Sequence, residues 1–266
     1  MADPKKNAPR SLLAGFATDA PYVTEVRRLM QGLLRRSRGH ASRVYMITSA
    51  ARGEGKSTTC ALLAIVAARI FHRRTLLIDA DMRRPTQHEL LDVAQRPGLY
   101  EMLHGKAKLD EVRRPTQLPT LSVIPSGRPG RHVSDAYDDE GFARVLAEVR
   151  RDHELIFVDA APVVPVVEPI MIAEHCDGLL LVAMAGRTPV PLIRRMRDIL
   201  EPVRDKIVGG IVNNATEGLP YYYDYSYYGY RPDRVRAGRS GASPNGDAEP
   251  SGDDVEAEGA HPSPKE

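Results

Sequence analysis

A glycine-rich segment that ends in Gly-Lys-Ser-Thr constrains the fold of this chain more than any other feature. Residues 49–58 read SAARGEGKST, directly after an apolar run at residues 44–48 and at the start of a helical stretch at residues 56–69. The segment matches the phosphate-binding P-loop pattern G-x-x-x-x-G-K-[ST], except that Ala50 replaces the first glycine. Because a P-loop joins a strand to the start of a helix, it predicts the first βα unit of an α/β fold.

Apolar runs and helical stretches alternate along the chain up to residue 214. We predict strands at residues 44–48, 75–79, 121–125, 155–159, 178–185 and 207–213, and helices at residues 21–38, 56–69, 86–94, 140–151, 168–175 and 190–204. Strands that are apolar throughout and alternate with helices form parallel sheets covered on both faces. The predicted fold class is α/β, a P-loop NTPase-like three-layer sandwich with a mostly parallel central sheet.

The composition changes at both ends of this predicted domain, which spans residues 21–214. Residues 1–20 are small and polar and are predicted to form a flexible arm. Residues 215–230 contain a tyrosine-rich cluster, because the stretch YYYDYSYYGY at residues 221–230 holds seven of the eleven tyrosines. Residues 231–266 contain five basic and eight acidic residues and almost no apolar ones, so we predict a disordered C-terminal tail.

The net charge, the cysteines and the apolar runs exclude several classes of protein. The net charge of +2 argues against a dedicated nucleic-acid-binding protein. Two cysteines, Cys60 and Cys176, are too few for a disulfide framework and predict buried, reduced thiols. No apolar run approaches the ~20 residues that span a bilayer, and the N-terminus lacks the apolar core of a signal peptide. We therefore expect a cytoplasmic protein that binds no nucleic acid.

The P-loop residues predict a nucleotide site. Gly53 and Gly55 allow backbone N–H groups to converge on phosphate oxygens, and the following helix adds the positive end of its dipole. We expect Lys56 to reach the β- and γ-phosphates and Ser57 to bind Mg²⁺ through its hydroxyl. The predicted nucleotide-binding residues of this segment are Gly53, Glu54, Gly55, Lys56, Ser57 and Thr58.

Two predicted strands run into aspartates. The strand at residues 75–79 ends at Asp79, with Asp81 two residues later, and the strand at residues 155–159 ends at Asp159. Because ligands bind at the carboxyl ends of parallel strands, we expect all three carboxylates beside the P-loop. We interpret Asp159 as the Walker-B carboxylate that orients the hydration shell of Mg²⁺. Asp79 and Asp81 form a second acidic position, suited to accept a proton or to hold the metal.

Other residues near the predicted site separate classes of P-loop protein or leave two interpretations open. Ala51 stands five residues before Lys56, where partitioning ATPases carry an extra lysine, and so argues against the ParA/MinD class. Arg83 and Arg84 either contact phosphate or a neighbouring acidic patch, or they lie on a solvated face. Asn213 or Asn214, at the end of the last strand, either contacts the edge of the base or caps a turn.

Four stretches together resemble the bacterial tyrosine kinase family (BY-kinases), P-loop kinases associated with exopolysaccharide export. They are GEGKST at residues 53–58, DADMRR at residues 79–84, VDAAP at residues 158–162 and the C-terminal tyrosine cluster. The D-x-D-x-R element of the family fits Asp79, Asp81 and Arg83, and its apolar-D-x-x-P element fits Asp159 and Pro162. The resemblance extends over about residues 20–230 and includes the stretches PGLYEMLHGKAKLDEV and LSVIPSG.

The resemblance implies a protein-tyrosine kinase that uses ATP and Mg²⁺ and phosphorylates its own tyrosine cluster in trans. By this resemblance, Lys56 contacts phosphate and Asp79 accepts the proton of the tyrosine hydroxyl. The implied metal-binding residues are Ser57, Asp81 and Asp159, and the implied catalytic residues are Lys56, Asp79, Asp81 and Asp159. The implied phosphoacceptors are Tyr221, Tyr222, Tyr223, Tyr225, Tyr227, Tyr228 and Tyr230.

The resemblance also implies assembly and a partner. The family forms rings through an E-x-x-R-x-x-R element on its N-terminal helix; Glu25 and Arg28 match it, but Gln31 replaces the second arginine. The alternative for Glu25 and Arg28 is an ordinary solvated charge pair. In a second departure, Arg52 stands where the family commonly has proline. The family often needs a membrane activator, so the resemblance implies a separate polysaccharide co-polymerase that recruits this protein to the inner face of the cell membrane.

Two other functions fit parts of the sequence. A ParA/MinD-like ATPase switch would respond to DNA or lipid, but it leaves the tyrosine cluster without a purpose. A non-catalytic nucleotide-binding scaffold would bind ATP, and another kinase would phosphorylate its tyrosines. The sequence favours a kinase that regulates capsular or exopolysaccharide polymerisation and export.

Overall fold

The computed structural model describes residues 11–128, 133, 137 and 139–215 of the protein. Its helices are α1 (Pro21–Arg36), α2 (Lys56–Arg69), α3 (Gln87–Leu91), α4 (Leu99–Leu103), α5 (Leu109–Val112), α6 (Asp139–Val149), α7 (Glu168–Ala173) and α8 (Val190–Ile199). Its strands are β1 (Arg43–Ser49), β2 (Thr75–Asp79), β3 (Arg114–Pro115), β4 (Leu121–Ile124), β5 (Leu155–Asp159), β6 (Gly178–Met184) and β7 (Ile207–Asn213). A 3-10 helix, Glu201–Lys206, precedes β7.

Within the described residues the strands form one sheet, in the order β3-β4-β2-β5-β1-β6-β7. All neighbouring strands are parallel except β3 and β4, which are antiparallel. The parallel α/β sheet predicted from the sequence is therefore confirmed. Because β1 lies between β5 and β6, the loop that follows β1 sits at the centre of the carboxyl edge, where parallel sheets bind ligands.

Helices cover both faces of the sheet. Successive side chains of β1 point to opposite faces: Tyr45 and Ile47 pack with residues of α1, α2 and α3, whereas Val44 and Met46 pack with residues of α4, α6 and α7. Two hydrophobic clusters result, one on each face of the sheet. This arrangement explains why the central strands are apolar throughout instead of alternating between apolar and polar residues.

The structure differs from the sequence-based prediction in the length of several elements. The helix predicted at residues 190–204 ends at Ile199, because Pro202 lacks the N–H group that an α-helix needs, and a 3-10 helix follows. The helix predicted at residues 86–94 ends at Leu91, since Asp92 adopts a left-handed conformation with φ 53°. The short elements α4, α5 and β3 were not predicted, because four or five residues carry too little periodicity.

Two segments that were predicted to be flexible or exposed contain buried residues. Leu13 and Phe16 belong to the predicted arm at residues 1–20, yet they are 4% and 6% exposed and pack against the α2 side of the sheet. The backbone N–H of Leu12 also donates a hydrogen bond to the Leu90 carbonyl. The polar residues 127–139, which contain Gly, Pro and Ser, predict an exposed loop, yet Tyr137 within this stretch is 1% exposed. In both segments, isolated apolar side chains pack into the core despite polar neighbours in sequence.

Candidate active site

The predicted site residues meet at the carboxyl edge of the sheet. Asp79 at the end of β2 and Asp159 at the end of β5 are direct neighbours in the strand register. Asp159 is also paired with Ile47 of β1, the strand that leads into the P-loop. Asp79 and Asp159 are fully buried, and Asp81 is 4% exposed. The topology therefore brings together carboxylates that lie about 80 residues apart in the sequence.

Lys56, the first residue of α2, contacts two of these carboxylates. Its Nζ donates hydrogen bonds to Asp81 Oδ2 at 2.7 Å and to Asp159 Oδ1 at 3.4 Å, and a third to Ser57 Oγ at 3.1 Å. Burial by itself lowers the pKa of Lys56, but Asp159 and Asp81 together raise it above its ordinary value of 10.5. The ammonium group is therefore charged at neutral pH and lies between the two acidic strand ends.

Asp79 differs from the other two carboxylates in its hydrogen bonds. Its Oδ2 accepts the backbone N–H groups of Thr86 at 3.1 Å and Gln87 at 3.0 Å. Its Oδ1 is buried and has no hydrogen-bond partner among the described residues. Burial, and then the charge of Asp159, raise the pKa of Asp79 well above its ordinary value of 3.8. A carboxyl group that is fixed through one oxygen and has a raised proton affinity is suited to act as a general base.

Gln87 is a site residue that the sequence analysis missed. It is fully buried, and its Nε2 donates hydrogen bonds to Asp159 Oδ2 at 2.7 Å and to the Ser57 carbonyl at 3.0 Å. Burial raises the pKa of Asp159, whereas Lys56 and the hydrogen bonds from Gln87 and Ser57 oppose the rise. The available signal in the sequence was a polar residue eight positions after Asp79, which is too weak to identify a contact with another strand.

The P-loop has the backbone geometry that its glycines predict. Gly53 and Gly55 have φ values of 76° and 86°, in the left-handed region that glycine favours. A Cβ atom at Gly55 would clash with the side-chain amide of Asn213, whose Nδ2 donates a hydrogen bond to the Glu54 carbonyl at 3.1 Å. The structure thus places Asn213 against the P-loop. Its contact with a nucleotide base stays a prediction.

These groups fit a magnesium nucleotide. The N-terminus of α2 has no side-chain cap, so its first N–H groups are available to phosphate oxygens. Ser57, Asp81 and Asp159 supply the oxygen donors that Mg²⁺ prefers. Among the described residues, no group of three or more His, Cys, Asp or Glu is arranged to hold a metal alone. This absence is compatible with Mg²⁺, which usually keeps several waters and binds through one or two carboxylates plus substrate phosphates.

Arg83 has a protein partner close to the site. Its guanidinium forms an ion pair with Glu168 at 2.6 Å, and Glu168 is only 2% exposed. The pair joins the loop after β2 to the first residue of α7. The contact of Arg83 with phosphate stays a prediction. The ion pair gives Arg83 a second role, because it holds the loop that contains Asp81.

Tyr137 supports the same loop from inside the core. Its hydroxyl donates a hydrogen bond to the Ala80 carbonyl at 2.6 Å, between the two aspartates of this loop. Burial, followed by the charges of Asp79 and Asp81, raises the pKa of the Tyr137 phenol well above 10.0. The phenol is therefore neutral and remains a hydrogen-bond donor. This contact was not predicted, because no short sequence pattern links the two segments.

The remaining predicted residues lie outside this cluster of carboxylates. Thr58 is exposed in the first turn of α2. Glu25 and Arg28 form an ion pair with each other on the surface of α1, and their predicted role in assembly stays a prediction. The phosphoacceptor cluster Tyr221, Tyr222, Tyr223, Tyr225, Tyr227, Tyr228 and Tyr230 lies outside the described residues, as does the predicted tail at residues 231–266. Cys60 and Cys176 are buried free thiols, as predicted.

Comparison with curated proteins finds bacterial tyrosine-protein kinases. The chain is 33% identical over 199 residues to the tyrosine-protein kinase CpsD of Streptococcus agalactiae, covering 74% of this chain and 86% of CpsD. It is 30% identical over 184 residues to the tyrosine-protein kinase YwqD of Bacillus subtilis, covering 69% of this chain and 76% of YwqD. No protein-family model matches the chain.

Comparison with solved structures also finds bacterial tyrosine kinases. The kinase domain of the Escherichia coli tyrosine kinase ETK superposes with a TM-score of 0.71 and 26% identity, over 80% of this chain and 84% of that domain. The cell division ATPase MinD of Pyrococcus furiosus superposes less well, with a TM-score of 0.56 and 21% identity over 64% of this chain and 71% of MinD. The likeness to MinD therefore extends to the P-loop fold alone, whereas the likeness to the tyrosine kinases includes the sequence.

Proposed function

Because the chain belongs to the family of bacterial tyrosine-protein kinases, we propose that it transfers the γ-phosphoryl group of ATP to tyrosines of its own C-terminal cluster, from one copy to another. The observation that carries this proposal is the convergence of Lys56, Asp79, Asp81 and Asp159 beside the P-loop. A kinase needs a cation for the phosphates, carboxylates for the metal and a base for the acceptor hydroxyl. Lys56 is the cation, Asp81 and Asp159 are the carboxylates for the metal, and Asp79 is the base.

The proton of the acceptor tyrosine goes to Asp79 in this mechanism. A phenol has a pKa of about 10, so it is protonated at neutral pH and loses its proton as the phosphoryl group is transferred. Asp79 Oδ1 is the atom that is free to accept this proton, since Oδ2 is held by Thr86 and Gln87. The new bond joins the phenol oxygen to phosphorus, the bond to the β-phosphate oxygen breaks, and ADP leaves.

The other residues bind and orient the phosphates. We assign Lys56 and the N–H groups of the P-loop to the phosphate oxygens, and Ser57, Asp81 and Asp159 to Mg²⁺. The metal neutralises charge on the phosphates when it is bound. The contacts of Lys56 with Asp81 and Asp159 hold its ammonium group next to Ser57, in position to bind phosphate. Gln87 keeps Asp159 in place through a hydrogen bond of 2.7 Å.

The position of β7 supports phosphorylation of the C-terminal cluster. Asn213, the last residue of β7, contacts the P-loop of its own copy, so the chain leaves the sheet at the active-site edge. Tyr221 follows eight residues later, and eight extended residues reach at most about 29 Å. The chain between Asn213 and Tyr221 is therefore short, and we propose that a neighbouring copy of the kinase receives the tyrosines that follow it.

Phosphorylation of this cluster would change the charge of the assembly. Each phosphotyrosine adds roughly −1.5 to −2 charge at neutral pH. We propose that repulsion among these charges releases the cluster and loosens contacts between copies, and that the resulting cycle regulates exopolysaccharide polymerisation and export. Support comes from the names of relatives, among them the succinoglycan biosynthesis transport protein ExoP of Rhizobium meliloti, 33% identical over 213 residues.

A separate membrane partner is part of this proposal. No helix within the described residues is long and apolar enough to cross a bilayer. We propose that a polysaccharide co-polymerase recruits the kinase to the inner face of the membrane and activates it. A cytosolic peptide of a candidate partner should then increase the rate of tyrosine phosphorylation, and a scrambled peptide of the same composition should not.

The test of the function separates transfer in trans from transfer in cis. A Lys56→Met variant that retains its seven cluster tyrosines is mixed with a kinase in which all seven are Phe, together with Mg²⁺ and ATP. We expect intact mass and peptide mapping to show phosphate on residues 221–230 of the Lys56→Met copy, and none when that copy is incubated alone. Phosphate that appears only within intact wild-type copies, never on the Lys56→Met copy, would contradict the trans mechanism. Steady ATP hydrolysis without phosphotyrosine would contradict the kinase mechanism.

A further inference from the structure

The local charge of the active site leaves a need for an additional cation. Asp79, Asp81 and Asp159 lie next to a single lysine, Lys56, and the two shortest contacts of its ammonium group with acidic residues are to Asp81 and Asp159. Three carboxylates and one ammonium group give a negative local charge when all are ionised. The substrate is a polyphosphate anion, so binding requires further positive charge near the phosphate loop. Mg²⁺ supplies part of it, and a protein cation beside the loop would supply more.

Arg187 is a cation that the sequence analysis did not single out. It lies in the turn between β6 and α8, directly after Gly186, whose φ is 70°. Its Nη1 donates a long hydrogen bond to the Gly53 carbonyl at 3.4 Å. A Cβ atom at Gly53 would lie 3.3 to 3.6 Å from the guanidinium atoms, so the guanidinium packs directly against the P-loop backbone.

The side chain of Arg187 is exposed, and within the described part of the chain no carboxylate forms an ion pair with it. A guanidinium has five N–H donors, and only one is engaged with the loop. The others are available to an anion. Arg52 is also exposed on the P-loop, but no hydrogen bond among the described residues orients its side chain.

The turn that carries Arg187 is attached to the P-loop by a buried carboxylate. The Thr188 hydroxyl donates a hydrogen bond to Glu54 Oε1 at 2.5 Å, and the other oxygen of Glu54 accepts the N–H of Ala51 at 2.9 Å. Glu54 is 2% exposed, so this link is shielded from water. The backbone N–H of Met184 in turn donates to the Thr188 hydroxyl at 2.8 Å. These hydrogen bonds fix the turn relative to the P-loop, so Arg187 keeps a defined position next to Gly53.

We propose that Arg187 is a further phosphate-binding residue of this kinase, positioned by the hydrogen bond between Thr188 and Glu54. Its planar guanidinium suits bidentate contact with phosphate oxygens, and charge-assisted hydrogen bonds of this kind are among the strongest in proteins. The phosphate belongs either to the nucleotide or to a phosphotyrosine of the cluster. The inference rests on the proposed function only in requiring that a phosphate compound binds at the P-loop.

The test compares Arg187→Gln with Arg187→Lys in the full-length protein. Arg194→Gln is the matched control, because Arg194 is an exposed arginine of α8, a helix that begins after the turn that carries Arg187. Binding of Mg-ATP and Mg-ADP is measured by calorimetry, and binding of phenyl phosphate, a phosphotyrosine analogue, is measured in the presence of saturating Mg-ADP. Thermal unfolding of each variant is recorded to confirm that it is folded.

If Arg187 binds the nucleotide, Arg187→Gln should weaken Mg-ATP roughly tenfold, Arg187→Lys should recover part of the affinity, and Arg194→Gln should match the wild type. If it binds the acceptor side, nucleotide affinity should be unchanged and phenyl phosphate should bind roughly tenfold more weakly. Thr188→Val should reproduce part of either loss, and Thr188→Ser should restore it. Either pattern supports the proposal.

Binding of both compounds within twofold of the wild type in Arg187→Gln would overturn the proposal. A loss of similar size in Arg194→Gln would also overturn it, since the effect would then be one of net charge. The proposed function can fail independently of this proposal. If the wild type binds Mg-ATP through Arg187 but places no phosphate on its tyrosines, the role of Arg187 is supported and the kinase mechanism is refuted. A wild type that binds neither compound would refute both.

Discussion

Replacing Asp79 by Asn should strongly slow phosphoryl transfer and leave the fold intact or slightly more stable. Asp79 is fully buried beside Asp159, and burial raises its pKa well above the ordinary value of 3.8. The charged form therefore destabilises the folded protein at neutral pH. An Asn side chain has nearly the same shape and still accepts the backbone N–H groups of Thr86 and Gln87 through its oxygen.

The size of the effect follows from two opposing contributions. Asp79 and Asp159 are register neighbours on adjacent parallel strands, which lie about 5 Å apart, and two like charges at that separation repel by about 3 kcal/mol at an effective dielectric constant of about 20. Two hydrogen bonds to a charged acceptor become bonds to a neutral one, which costs about 1 kcal/mol each. The difference is a stabilisation of about 1 kcal/mol, or a rise in Tm of about 2–4 °C for a domain of this size.

The pH dependence gives a sharper test. A carboxyl group whose pKa is raised in the folded state contributes stability in its protonated form at low pH, and this contribution is lost as the pH rises through the folded pKa. The wild type should therefore lose stability relative to Asp79→Asn as the pH increases. Thermal unfolding at pH 5, 6, 7 and 8 measures this difference, and tyrosine phosphorylation should fall by about 10²–10⁴ because the general base is missing.

Asp81→Asn is the matched control for this experiment. Asp81 accepts the shortest hydrogen bond of Lys56, at 2.7 Å, so removing its charge deprives a buried ammonium group of a partner. We expect Asp81→Asn to lower the Tm, in contrast to Asp79→Asn. If Asp79→Asn lowered the Tm by more than about 4 °C, or if its Tm difference from the wild type shrank with rising pH, the electrostatic reasoning would be refuted.

Three further changes test other parts of the structure. Gly55→Ala should weaken Mg-ATP binding at least tenfold, because φ is 86° and the added Cβ meets the Asn213 amide. Gly32→Ala, on the open surface of α1, is the control and should add about 1 kcal/mol of stability. Calorimetry measures nucleotide binding and thermal unfolding measures stability, and equal nucleotide binding by both variants would refute the steric argument. Gln87→Leu should reduce kcat and also weaken Mg-nucleotide binding, since it removes the hydrogen bonds to Asp159 and to the Ser57 carbonyl, and an unchanged kcat would contradict its positioning role. Burial lowers the pKa of His153, so the neutral form contributes stability above pH ~6.5, and this stability declines as the pH falls. His153→Gln should therefore show a smaller decline in Tm between pH 7 and 5 than the wild type. An identical decline in both proteins would contradict this role of His153.

The chemistry of the site could be inferred from local sequence patterns, because each pattern lies within a few residues. The P-loop needs Gly53 and Gly55 followed by Lys56 and Ser57, and the acidic strand ends are marked by Asp79 and Asp159 directly after apolar runs. Since parallel strands end at one edge, strand order did not have to be known to place these residues near each other. The partners of the carboxylates were not accessible in the same way.

Contacts between distant segments were decided by the tertiary structure alone. Gln87 reaches Asp159 over 72 positions, and Thr188 reaches Glu54 over 134 positions. Neither pair has a local pattern, because a hydrogen bond between side chains depends on the order and spacing of strands, and a single sequence does not record these. The same reasoning applies to Tyr137 and Arg187, which lie in loops with no periodicity.

The sequence by itself determined the α/β class, the phosphate loop with its lysine and the acidic strand ends, because hydrophobic periodicity and backbone requirements act over short distances. The tertiary structure decided how these groups differ from one another. Asp79 and Asp159 look alike in sequence, but one keeps an oxygen free in a buried site while the other contacts Lys56 and Gln87. That difference depends on burial and on neighbours across the sheet, which arise only when the strands pack side by side.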